Sequence, residues 1–227
     1  MAIEEQQYPD MQAAAHALAE LLGADLKNAV AKKGQASLAV SGGRTPKLVF
    51  EKLRQLEIDW SKVTITLIDE RWVAPDHPDS NEGLTRNYLM QGAAKEAVFV
   101  PMYGGEDTPM SGQENCEKRL QDMSLPFDAA YLGMGPDGHF ASLFPGDPAV
   151  HVTEGRCVGV PATGDRVARM SLTAPTVMNS TTVYLLFSGA DKHEKYAQAK
   201  TDGTVEEIPL RLVLRQNDTN VKVLMAP

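Results

Sequence analysis

Apolar residues recur at three- and four-residue steps from Met11 through Ala14, Ala15, Leu18, Leu22 and Leu26 to Val30, which predicts a helix with one buried face. Asp10 stands where a cap belongs and Gly34 where a left-handed stop belongs. Gly23 is an internal weak point, costing about 1 kcal/mol against Ala. The period then changes. Ala36–Val40 is a short apolar run that empties into Ser41-Gly42-Gly43, and Pro46 opens a second helix to about Leu56. Val63–Ile68 is β-branched and apolar, interrupted only by threonines, as a strand buried on both faces should be.

Asp76–Ser80 reads as a polar loop whose last residue caps a helix to about Gln91. Val98–Val100 is a short strand, and Ser111 with Glu114 has capping-box spacing for a helix to about Met123. Asp128–Leu132 is another apolar strand, followed by the loop Gly133–His139. Further strands are expected at 156–160, 167–173, 181–187 and 220–225, with helices at about 190–200 and 206–214. Strands alternating with helices of this length predict an α/β fold with a parallel sheet covered by helices on both faces. No linker composition, repeat or low-complexity tract divides the chain, so residues 1–227 are expected to form one domain.

Composition narrows the partners. Hydrophobic residues are 43% of the 227, enough for a sizeable core, and 22 Lys and Arg against 30 Asp and Glu give a net charge of −8. That sign disfavours nucleic acid and anionic membrane surfaces, so a small anionic ligand would need a local pocket that overrides it. No apolar run is long enough to span a bilayer, and the opening Met-Ala-Ile-Glu-Glu-Gln-Gln lacks a secretory pattern. A cytoplasmic protein is expected. The two cysteines, Cys116 and Cys157, have no metal-ligand spacing and read as reduced packing residues. No metal and no cofactor are expected, and a monomer is the expected state.

Three loops fall where a parallel sheet gathers its ligands, at the carboxyl ends of strands. Ser41-Gly42-Gly43-Arg44-Thr45 precedes a helix, so its amides, Arg44 and Thr45 can meet an anion, although a plain tight turn would explain the glycines equally well. It is not a Walker loop. Asp69-Glu70-Arg71 ends an apolar strand, and Arg71 could pair with a carboxylate or stabilise developing negative charge. Gly133–Gly138 is a literal G-x-G-x-x-G, but Pro145 and Gly146 leave no room for the long helix that a dinucleotide fingerprint needs, and no acidic residue follows at the right distance. The glycines instead allow a tight loop presenting Asp137 and His139, a carboxylate able to orient an imidazole base. No G-x-S-x-G elbow is present.

Leu38–Pro46, Asp69–Val73 through Ser80-Asn81, and Leu132–Gly146 resemble the 6-phosphogluconolactonases of the glucosamine-6-phosphate isomerase/6-phosphogluconolactonase family, and Arg169–Thr173 and Ser188–Lys192 are similar to its later segments. The resemblance implies a modified Rossmann-like fold and hydrolysis of the phosphorylated sugar lactone 6-phosphogluconolactone in the oxidative pentose phosphate pathway, without metal. It implies His139 as base, with Asp69, Arg71 and Asp137 lining the site. The phosphate would be held by Ser41, Gly42, Gly43, Arg44 and Thr45 with Arg169 and Lys192. Arg44 stands where many members carry Ser, and Phe140 where Thr is frequent. The rival reading is a glucosamine-6-phosphate deaminase or related isomerase, but such relatives continue the Asp-Gly-His motif toward Asn-Glu-Pro, where this chain has Ala141–Gly146. A sugar-phosphate sensor is the third reading, and would need only the phosphate grip.

Overall fold

Asp10 and Gly34 bound the first helix as the sequence predicts. In the computed structural model, which describes residues 3–43 and 45–227, helix α1 (Met11–Lys33) is capped by the Asp10 carboxylate, which accepts from the Ala13 N–H at 2.7 Å. It stops at Gly34, at φ +76°. Gly23 is no mere weakness: a Cβ there would overlap Leu56, so its missing side chain lets the segment after the second helix close onto α1.

The strands are β1 (Ile3–Gln7), β2 (Ala36–Val40), β3 (Val63–Leu67), β4 (Asp69–Arg71), β5 (Val98–Val100), β6 (Ala129–Leu132), β7 (Cys157–Val160), β8 (Arg169–Leu172), β9 (Thr182–Ser188) and β10 (Asn220–Ala226). Seven form one sheet in the order β1-β10-β9-β6-β2-β3-β5, parallel at every pairing. Its central strands are buried along their whole length, and Thr66 satisfies its hydroxyl inside by donating to Val100 O at 2.9 Å. The strand at Ile3–Gln7 is not among the expected ones, because Ile-Glu-Glu-Gln-Gln is almost wholly polar. It forms the exposed edge, where charge discourages further pairing.

The remaining helices are α2 (Pro46–Leu53), α3 (Asn81–Tyr88), α4 (Pro109–Leu120), α5 (Ala174–Met178), α6 (Ala190–Ala199) and α7 (Arg211–Leu214). Several differ from expectation. The capping box belongs to Thr108 and Ser111 rather than Ser111 and Glu114, because Pro109 takes the first helical position. The last expected helix, from Glu206, shrinks to α7, since Thr204 and Glu207 bond each other's backbone in a turn.

The larger correction concerns 156–160, 167–173 and the Asp69–Arg71 loop. They do not extend the parallel sheet: β4, β8 and β7 form a separate antiparallel sheet. Along the parallel sheet the chain steps outward from β2 to β3 and β5, then returns to β6 on the other side of β2. The carboxyl ends of β2 and β6 therefore bound the crevice where strand order reverses, the usual ligand position in such sheets. Cys116 and Cys157 are buried and unbridged. No helix among the described residues is long and apolar enough to cross a membrane.

Candidate functional site

A cleft of about 240 Å³ opens at that crevice. Ser41, Gly42, Gly43 and Thr45 line it from the loop after β2, Asp69 and Arg71 from β4, His139 from the loop after β6, Arg169 from β8 and Lys192 from the first turn of α6. Arg44 lies outside the described residues. The loops are tied together: Ser41 donates its N–H to Tyr131 O at 3.0 Å, and Ser41 Oγ accepts the Gly133 N–H at 3.3 Å. Thr45 makes no capping hydrogen bond with its side chain, and α2 begins directly behind the loop at Pro46.

Asp137 does not line the cleft but binds the residue that does. Its Oδ1 lies 2.6 Å from His139 Nδ1 and also accepts the His139 N–H at 3.1 Å. Burial alone would raise the Asp137 carboxyl, but the bond and charge of His139 outweigh it and hold the group below its usual value. Gly135 makes room for this pair, since a Cβ there would overlap the imidazole and sit 2.7 Å from Asp137 Oδ1. Asp69 is engaged elsewhere: its Oδ2 accepts from Ser142 Oγ at 2.5 Å and from Arg169 Nη1 at 3.4 Å. The imidazole's carboxylate partner is therefore Asp137.

Arg71 and Arg169 enter from antiparallel neighbours. Arg71 Nη1 donates to Asp79 O at 2.7 Å, and the Nε atoms of both arginines are buried without a protein partner. Burial lowers the Arg169 pKa below its usual range, Asp69 opposes that and Arg71 adds to it. With Lys192, three cations line one cleft in a chain of net charge −8 and supply the local reversal of sign that an anion needs.

Three residues at or behind the site are not among the expected site residues. Asn81 lines the cleft, donates Nδ2 to Asp69 O at 2.8 Å, and packs so closely on Gly42 that a Cβ there would overlap its carboxamide. Glu70 is fully buried behind β4 and accepts from the N–H groups of Arg71, Asn81 and Glu82, each at 2.7 Å, and from Ser80 Oγ at 3.0 Å. Burial nevertheless pushes its carboxyl up to about 7. Ala141 lines the cleft at φ +52°, a left-handed backbone unusual outside glycine. All three fall in the segments that resemble the family, Asp69–Val73 through Ser80-Asn81 and Leu132–Gly146, but no spacing rule connects Glu70 with Asn81 or marks Ala141. Among the described residues, no group of three or more His, Cys, Asp or Glu is placed to hold a metal.

The sequence profile of the Glucosamine-6-phosphate isomerases/6-phosphogluconolactonase family matches residues 9–223. The chain belongs to this family. Within it, the 6-phosphogluconolactonase of Rhizobium meliloti (strain 1021) is 39% identical over 225 residues, covering 97% of each chain. That of Pseudomonas aeruginosa is 37% identical over 206 residues, covering 88% of this chain and 87% of the relative. The crystal structure of a 6-phosphogluconolactonase from Shewanella baltica OS155 superposes with a TM-score of 0.96 at 36% identity, covering 100% of this chain and 98% of the other. The family's modified Rossmann-like fold is thus the fold of this chain, and its G-x-G-x-x-G stretch runs from β6 into an irregular loop rather than a helix.

Proposed function

We propose that this chain hydrolyses 6-phospho-D-glucono-1,5-lactone to 6-phosphogluconate, in the oxidative pentose phosphate pathway of the cytoplasm. The observation that carries the reading is the Asp137–His139 pair standing at a cleft made cationic by Arg71, Arg169 and Lys192. The names of the relatives support the choice of lactone.

A δ-lactone is an activated ester, so its carbonyl needs no covalent nucleophile from the protein. His139, with Nδ1 held by Asp137, takes a proton from water as the water oxygen attacks C1, a contribution of roughly 10²–10⁴-fold. Arg71 or the loop amides meet the negative charge that develops on the carbonyl oxygen. The C1–O5 bond then breaks and the imidazolium returns the proton to the departing ring oxygen. The phosphate, held by the Ser41–Thr45 loop with Arg169 and Lys192, fixes the far end of the substrate so that C1 stays in reach of the base.

The test is a coupled assay that generates the lactone enzymatically from glucose 6-phosphate and follows acid release, beside a parallel assay of ammonia release from glucosamine 6-phosphate. Acid release above the spontaneous rate, abolished in His139→Ala, is expected. Ammonia release without lactone hydrolysis would overturn the reading in favour of the deaminase.

A further inference from the structure

A single hydrogen bond fixes one atom of a ring and leaves its tilt open. For His139 that bond is to Asp137, and the backbone of Gly135 closes one side of the imidazole. The Phe144 ring supplies another wall, its centroid 4.3 Å from that of the imidazole at an interplanar angle of 40°.

Phe144 is itself held by Arg166. The Arg166 guanidinium carbon lies 4.0 Å from the Phe144 centroid, and its Nη2 donates to Asp147 Oδ2 at 2.8 Å and to Thr163 Oγ1 at 3.3 Å. Asp147 closes a turn with Phe144, donating its N–H to Phe144 O at 3.1 Å. Arg166 sits in a tight hairpin with Thr163, sealed by two reciprocal backbone bonds of 3.0 Å. Arg166 therefore grips both the ring of Phe144 and the side chain at the other end of its turn, while the Arg169 guanidinium carbon faces the same ring from 5.5 Å. A partly exposed cation–π contact of that kind is worth about 0.5 kcal/mol, roughly a twofold change in binding. Arg166 does not line the cleft, so substrate contact does not explain this arrangement.

We propose that Phe144 is a positioning residue that sets the plane of the His139 imidazole, and that Arg166 holds Phe144 in place for it. The proposal rests on the lactonase reading above. A group that only positions the base affects the chemical step and leaves uniform binding untouched.

The test compares Phe144→Leu, Phe144→Tyr and Arg166→Gln with the unaltered protein in steady-state lactone hydrolysis, alongside the proton resonance of His139 Cε1–H. Phe144→Leu is expected to lower kcat about tenfold or more, as small misplacements of a catalytic group do, with KM within about twofold. Phe144→Tyr keeps the ring and restores most of kcat, while Arg166→Gln shows a smaller loss, also confined to kcat. The ring-current shift of the His139 resonance disappears in Phe144→Leu and survives in Phe144→Tyr. An unchanged kcat in Phe144→Leu, a rise in KM alone, or a Tyr variant no better than Leu overturns the proposal. Should Phe144→Leu fail to fold, Arg166→Gln decides it by the same split. Lack of lactone hydrolysis by the unaltered protein would overturn the proposed function instead, and the resonance would then decide the positioning role alone.

Discussion

Arg71 and Arg169 stand directly opposite each other on the antiparallel β4–β8 ladder, and both line the same cleft. Like charges at facing positions are destabilising, and Asp69, at 3.4 Å from Arg169, offsets them in part. Nothing in packing explains such a pair, since apolar or opposite charges would stabilise the ladder better. Each guanidinium also keeps a buried Nε without a protein partner. On the function proposed above, each guanidinium meets negative charge on the substrate, Arg169 at the phosphate and Arg71 at the carbonyl oxygen.

Removing one cation should therefore separate binding from stability. Arg169→Met is expected to raise KM about 10- to 100-fold, the value of a charge-assisted hydrogen bond or two, with a much smaller fall in kcat. Thermal stability without ligand should hold or rise slightly as the repulsion with Arg71 is relieved. Differential scanning fluorimetry with added 6-phosphogluconate should show a stabilising shift in the unaltered protein that is largely lost in the variant. An unchanged KM would remove Arg169 from the grip.

The proposed roles of Asp137 and His139 predict the opposite pattern. Asp137→Asn keeps the size of the side chain but loses the charge that stabilises the imidazolium formed during attack. A fall in kcat of about 10²–10⁴-fold with KM nearly constant is expected, matching His139→Ala. Equal effects on kcat and KM for both variants would place the pair in binding rather than chemistry.

The parallel sheet and its loops were legible because buried strands, caps and glycine stops leave local signals, as at Ala36–Val40, Asp10 and Gly34. The antiparallel sheet was not. Asp69-Glu70-Arg71 is too short and too charged to read as a strand, and its partner Arg169–Leu172 lies about 100 residues away. The pairing is fixed by tertiary contacts that no local pattern records. Asn81 and Glu70 lie in a family-like segment, but their part in the site could not be read there: the Glu70 carboxylate binds backbone N–H groups across a loop, a relation set by geometry rather than by residue type. Phe144, by contrast, lies in a recognisable motif, but its contact with Arg166 spans a turn and a hairpin.

Glu70 makes stability depend on pH in a definite direction. Its carboxyl titrates at about 7 in the folded protein against 4.5 in the unfolded chain, so between those values the folded state keeps a proton that the unfolded state has released. Stability should fall as pH rises through that window, by at most about 3.4 kcal/mol, and level off above it. Glu70→Gln cannot ionise, so its urea-unfolding free energy should be flatter from pH 5 to 7.5. It should also be lower at the acid end, because the amide group presents a donor to N–H groups at the start of α3 that need an acceptor. Parallel slopes in the two proteins would assign the pH dependence elsewhere.

The G-x-G-x-x-G stretch offers a sharper division among its own glycines. A Cβ at Gly135 overlaps the His139 ring, whereas one at Gly133 meets nothing within 4 Å, and Gly138 sits at φ +84° with Ile208 Cγ2 2.6 Å from its Cβ position. In a dinucleotide site the first glycine shapes the turn and the second admits the pyrophosphate; here the second makes room for the His139 imidazole. Gly135→Ala should thus displace the imidazole and lower kcat about 100-fold at nearly constant KM. Gly133→Ala should leave the His139 resonance unmoved and act on KM if it acts at all, since its methyl group would enter the cleft. Gly138→Ala should cost about 1–2 kcal/mol of folding stability from the left-handed backbone, and more from the contact with Ile208, read by urea unfolding. If Gly133→Ala were the variant that lost kcat and Gly135→Ala the tolerant one, the imidazole would not lie against Gly135 during catalysis, and the base assignment would fall with it.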